Sequence, residues 1–199
     1  MFKFFKFSIT TILIFLSFSL KSKDEVNDVL KYLSQFHSLQ TDFIQINNNG
    51  SISSGKIFLK RPGKIRIEYK DQPLLIISDG KKIATINSKL KNISFYSLKD
   101  VPVRLLLFHE INKEKINIEK LTKKENFIKL RLTEKSFEDR GYIELIFEDE
   151  PFQMKKWTIF KNDKSKTEIL LNNLQLNIEL TNNKFDISSE DPRNPLWRN

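Results

Sequence analysis

The run Gly55-Lys56-Ile57-Phe58-Leu59-Lys60-Arg61-Pro62-Gly63-Lys64-Ile65-Arg66-Ile67-Glu68-Tyr69 constrains the fold more than any other part of the chain. Two alternating segments flank a Pro-Gly turn, the pattern of a β-hairpin. Ile57, Leu59 and Arg61 then share one face of the first strand. Ile65, Ile67 and Tyr69 share one face of the second, and Lys64, Arg66 and Glu68 take the other. An arginine that closes an apolar row is costly in a dry core, where its guanidinium loses hydration. At the mouth of an apolar cavity its donors can reach carbonyl oxygens, so the pattern predicts a rim arginine.

The same period of two runs from Leu39 onward, broken by turn residues. Breaks fall at Asn48-Asn49-Gly50, Pro62-Gly63, Asp71-Gln72-Pro73, Asp79-Gly80, Asn87-Ser88, Arg140-Gly141, Asn162-Asp163 and Asn182-Asn183. Many of the intervals match an antiparallel meander. Asp79-Gly80 is the strongest hairpin signal, predicting a two-residue turn with positive φ at both centres. Later strands are expected at Ile116–Leu121, Phe127–Thr133, Tyr142–Glu148, Met154–Phe160 and Thr167–Leu176.

Two helices interrupt this pattern. Val26, Val29, Leu30, Leu33 and Phe36 recur at helical spacing, with Ser22 and Glu25 placed as a capping box. Asp100 is positioned to cap a short helix through Val101-Pro102-Val103-Arg104-Leu105-Leu106-Leu107-Phe108, apolar nearly all round. A sheet of about ten or eleven strands tends to curl or split. The expected class is α+β, mainly β: an open barrel whose concave side is plugged by the two helices. Periodicity alone leaves a filled β-sandwich as the alternative.

The first 22 residues stand apart. Lys3 and Lys6 precede an apolar stretch from Ser8 to Leu20, and small residues follow at Ser17, Ser19 and Ser22. This is the layout of a secretory signal peptide, cleaved after Ser19 or Ser22. The stretch is short for a membrane span, which needs about 20 apolar residues. Residues 23–199 are then expected to form one domain. Cysteine is absent, which excludes disulfides, thiolate metal sites and a lipid-modified N-terminal cysteine. Net charge is +9, and cleavage after Ser22 would remove Lys3, Lys6 and Lys21 and leave +6. The basic residues are spread along the chain, not gathered into a nucleic-acid stripe. They suit a solvated surface or an anionic membrane.

Residues that carry chemistry are sparse. His37 and His109 lack metal-ligand spacing, and Gly50-Ser51-Ile52-Ser53-Ser54-Gly55 lacks the lysine of a phosphate loop. Glu134, Glu138, Asp139, Glu148, Asp149 and Glu150 lie near turns, where carboxylates are usually solvated. Neither catalysis, a cofactor, a metal nor a nucleic-acid partner is expected. A secreted hydrolase with an unrecognised carboxylate site is the rival from another class. Apolar volume remains: each buried acyl CH₂ contributes about 0.8 kcal/mol.

Several segments resemble the LolA family of periplasmic lipoprotein carriers. They are Phe43-Ile44-Gln45, Gly50 and Gly55, Leu59 to Arg66, Ser78-Asp79-Gly80-Lys81 and the Pro102-to-Leu107 helix. Gly141 to Leu145, Trp157-Thr158-Ile159, Phe185 and Asp191-Pro192-Arg193 are similar to its alphaproteobacterial branch. The resemblance implies an unclosed antiparallel β-barrel with an α-helical lid over an apolar cavity. It implies a monomeric periplasmic chaperone that takes acylated lipoproteins from an inner-membrane ABC transporter. Delivery would be to an outer-membrane receptor or to the outer membrane directly. The family's lid-holding arginine matches Arg61, which would bond lid backbone carbonyls. The cavity would be lined by Ile57, Leu59, Ile65, Ile67 and Tyr69, and filled when closed by Leu105, Leu106 and Phe108. Ile65 and Ile67 are aliphatic where the family is often aromatic. A related carrier of another lipid is the alternative within the fold.

Overall fold

The computed structural model describes residues 25–101, 103–108, 114–136 and 141–194. The signal-peptide stretch, Ser22, His109, Glu138 and Asp139 lie outside them. Helix α1 covers 25–35. Six strands follow: β1 (Ser38–Asn47), β2 (Ile52–Lys60), β3 (Lys64–Tyr69), β4 (Leu74–Asp79), β5 (Lys82–Asn87) and β6 (Asn92–Ser97). Helix α2 (Arg104–Leu107) precedes β7 (Ile116–Lys124), β8 (Phe127–Glu134), β9 (Gly141–Glu148), β10 (Gln153–Lys161) and β11 (Lys166–Leu176).

All eleven strands form one antiparallel sheet in the order β6-β5-β4-β3-β2-β1-β11-β10-β9-β8-β7. Two meanders, β1–β6 and β7–β11, are joined by the pairing of β1 with β11. The sheet is not closed: β6 and β7 end the order. The connection between those two strands carries α2.

One apolar cluster fills the space between sheet and helices. It joins Val29, Leu33 and Phe36 of α1 and Leu106 and Leu107 of α2 to Leu39, Phe43, Ile57, Leu59, Leu130, Leu145, Phe147 and Trp157. Burying one such side chain contributes about 1.5–3 kcal/mol. Tyr32 of α1 meets Phe147 and Phe152 edge-on, and those two rings stack.

The second helix is shorter than its sequence pattern predicts. Residues Leu98–Asp100 form a 3₁₀ turn capped by Ser97. Val101 is extended at φ −122° and ψ 127°, as a residue before proline favours. Pro102 lies outside the described residues; among those described in this stretch, only Arg104–Leu107 is α-helical, with no side-chain cap. The Asp79-Gly80 turn also differs. Gly80 has positive φ, but Asp79 is not among the residues with positive φ. Strand β4 ends at Asp79 and β5 begins at Lys82, so the two-residue turn is Gly80-Lys81, one position later than expected, and Asp79 Oδ1 accepts from the N–H groups of Lys81 and Lys82.

The outer face of β2–β5 is covered by the segment after β11. Leu180 and Phe185 pack on Phe58, and Ile187 packs with Ile77, Ala84 and Ile86. Lys60 Nζ donates to the Leu180 carbonyl at 2.6 Å, and Arg66 Nη2 pairs with Glu190 at 2.9 Å. Lys60 and Arg66 therefore bind the chain's own C-terminal segment, where composition alone suggested a solvated basic surface.

Candidate functional site

Pairing places Leu59 opposite Ile65 and Ile57 opposite Ile67, with Gly55 opposite Tyr69. Gly55 permits that crossing: a Cβ there would stand 1.9 Å from the Glu68 carbonyl oxygen. The β2–β3 turn follows, with a cis Arg61–Pro62 peptide and Gly63 at φ +74°. A Cβ on Gly63 would meet the Gly80 Cα at 2.8 Å, so two hairpin loops nest through paired glycines. That nesting points the Gly63 N–H at the Leu107 carbonyl, 2.7 Å away.

Arg61 sits beside this contact and is 4% exposed. Its Nε donates to the Leu106 carbonyl at 3.0 Å. Its Nη1 donates to the Leu33 carbonyl and, at 2.9 Å, to the Phe36 carbonyl. One guanidinium thus joins both helices to the sheet. Leu33 lies in the last turn of α1, where carbonyls lack partners within the helix and a cation is favoured. Nη2 is buried with no hydrogen-bond partner among the described residues. Burial lowers the Arg61 pKa to about 10, which leaves it a cation at neutral pH.

Further ion pairs hold the same helices. Arg104 Nη2 of α2 lies 3.1 Å from Glu134 Oε1 of β8. Lys123 Nζ of β7 lies 3.3 Å from Glu25 Oε1 of α1 and 3.0 Å from Asp149 Oδ2. Hydrogen bonding to Asp149 and Glu25 raises the Lys123 pKa despite some desolvation. Glu134, Glu148 and Asp149, three carboxylates considered above as acids or bases, are all engaged in ion pairs. Among the described residues no cluster of His, Cys, Asp or Glu could hold a metal ion.

Ile57, Leu59 and Ile65 of the sheet and Leu106 of α2 are buried in the core, while Ile67, Tyr69 and Leu105 pack partly buried against the same cluster. Phe108 is 37% exposed at the end of α2, and Leu107 occupies the interior instead. The shortened helix explains the exchange, since it ends at Leu107 and leaves Phe108 extended. Tyr69 donates to Gln45 Oε1 at 2.8 Å, yet burial still raises its pKa. An open surface groove of about 540 Å³ is lined by Phe43 and Tyr69 with Asp42, Lys56, Glu68 and Lys70; the expected apolar space beneath the helices is filled by the core cluster. Sequence reasoning passed over Leu33, Phe36 and Leu107, although Leu33 and Phe36 belonged to the stripe that marked α1.

The family model described as "Outer membrane lipoprotein carrier protein LolA" matches residues 34–188. No curated protein matches the chain. Among solved structures, the fold is similar to a DUF1329 family protein from Desulfovibrio piger: TM-score 0.52, 9% identity, 82% of this chain and 95% of that one. A LolA superfamily protein from Nitrosomonas europaea aligns at TM-score 0.46 and 7% identity, over 80% of this chain and 96% of that one.

Proposed function

The chain belongs to the LolA family of outer membrane lipoprotein carrier proteins, and on that premise we propose that it shuttles acylated lipoproteins across the periplasm. Cargo would come from an inner-membrane ABC transporter. It would be delivered to the outer membrane, through a receptor or directly. The protein would act as a carrier without catalysing a reaction, after removal of its signal peptide.

The observation that carries this reading is the convergence of α1 and α2 on Arg61. Helices that share one sheet side chain as a common anchor can leave the sheet together. Their departure would uncover Ile57, Leu59 and Ile65, an apolar surface suited to acyl chains. Nη2 lacks a partner among the described residues. A buried cation with a donor unpaired is held less firmly than a fully bonded one. Opening therefore costs less than the three bonds alone imply, as reversible loading requires.

The test is lipoprotein release. Mature protein is added to spheroplasts that make a tagged outer-membrane lipoprotein, and the soluble fraction is examined for a one-to-one complex. The expected result is release of that cargo and not of an inner-membrane lipoprotein. Failure to release it, with binding of free phospholipid or fatty acid, would replace this reading with carriage of another lipid.

A further inference from the structure

Seven large apolar side chains are exposed among the described residues, and Leu90, Phe95 and Tyr96 fall in one hairpin. Isolated exposed hydrophobics are ordinary; the grouping here is not. Leu90 is 67% exposed at the turn between β5 and β6, and Tyr96 is 55% exposed on β6. Among the described residues, β6 is an edge of the sheet. Phe95 and Tyr96 are adjacent along it, so they flank that edge on opposite faces.

Charge in the hairpin has one sign. Residues 80–99 contain Lys81, Lys82, Lys89, Lys91 and Lys99, with no Asp or Glu. All five lysines are exposed. Two nearby acids are already engaged: Asp79 caps the turn, and Asp191 pairs with Arg193 at 2.7 Å. Lys82 Nζ lies 4.6 Å from the centre of the Phe95 ring, setting cation and aromatic side by side.

We propose that the β5–β6 hairpin docks edge-on to an anionic lipid surface. Leu90, Phe95 and Tyr96 enter the headgroup boundary, and the lysines meet lipid phosphates. Aromatic rings favour that boundary, and polybasic segments are drawn to it. An added peptide strand would cover the β6 edge but leave the Leu90 tip bare. A lipid interface contacts tip, edge and lysines together. Docking of this kind needs no cargo, so it goes beyond the carrier reading.

Purified mature protein is sedimented with vesicles of phosphatidylcholine alone, or of phosphatidylcholine mixed with phosphatidylglycerol. Binding is expected only to the mixed vesicles, and it should weaken with salt. Leu90→Asp, and separately Lys89→Glu with Lys91→Glu, should each weaken binding at least about tenfold. Ile52→Asp serves as the control, because Ile52 is 68% exposed elsewhere and its loss should change little. Absence of binding to the mixed vesicles would overturn the proposal, as would equal loss in Ile52→Asp. Hairpin variants that bind vesicles normally but fail to deliver cargo would overturn it in favour of an acidic protein partner. Cargo release from spheroplasts is measured separately, so the two readings fail independently.

Discussion

The Arg61 guanidinium lies 3.8 Å from the centre of the Phe36 ring. The same group donates to the Phe36 carbonyl, so both the side chain and the backbone of one residue beyond α1 are held. A ring face is a surface that a desolvated cation can use. Arg61→Leu relieves the burial of a charge but leaves three carbonyls without their donor. The second effect should dominate, lowering stability by about 1–3 kcal/mol in urea unfolding. Hydrogen exchange at the Gly63 and Leu106 amides should quicken. Arg61→Lys keeps the charge but cannot fork to carbonyls of two helices, so exchange there should quicken as well. Slow exchange at both amides in either variant would show that Arg61 does not hold the helices.

The Arg104–Glu134 pair is a further side-chain tie on α2, with side chains only 25% and 11% exposed. A double-mutant cycle with Arg104→Ala and Glu134→Ala should give a coupling of about 1 kcal/mol. Its effect should concentrate in exchange of α2 and leave the β9–β10 amides unchanged. Additive single effects would make the contact incidental.

Gly55→Ala places a methyl group against the Glu68 carbonyl at 1.9 Å and the Phe43 ring at 2.8 Å. Backbone must shift to admit it, so β2 and β3 must part locally. The loss should be at least about 2 kcal/mol in thermal or urea unfolding. Gly50→Ala tests whether space is the cause. No atom lies within 4 Å of its added Cβ, although its φ of +79° still adds strain, so its smaller loss should reflect conformation alone.

Glu168 of β11 accepts from Lys156 and Lys166, and these bonds hold its carboxylate below the usual glutamate range. The folded state then binds this proton less readily than the unfolded state. The stabilisation is complete above the ordinary glutamate pKa of about 4.3. It is lost as pH falls through the lowered folded value. Urea midpoints of Glu168→Gln should accordingly decline less across that acid range than those of the parent. Parallel pH profiles would remove Glu168 from the account.

Much of the sheet was legible because its information is local. Period-two patterns and turn residues located β7 through β11 within a few positions, since each depends on neighbours along one strand. The same locality placed Arg61 at the end of the Ile57–Leu59 row and drew the α1 stripe. Where neighbours supply competing contacts, the reading failed. Asp79 closes β4 and its side chain takes two backbone donors, so the two-residue turn falls on Gly80-Lys81 instead. Extended Val101 and the end of α2 at Leu107 carried Phe108 outward.

The sequence by itself determined the alternating strands, the two helix-forming stretches and the presence of an arginine closing an apolar row. Only the tertiary structure decided what that arginine bonds. Leu33, Phe36 and Leu106 lie 28, 25 and 45 positions from it. The curl of one sheet around both helices brings their carbonyls to a common point. The segment after β11 shows the same dependence: Lys60 and Arg66 alternate like solvent-facing residues, yet they anchor a chain 120 and 118 positions away. Side-chain periodicity records which face a residue takes. What lies over that face follows from how the whole sheet closes on the rest of the chain.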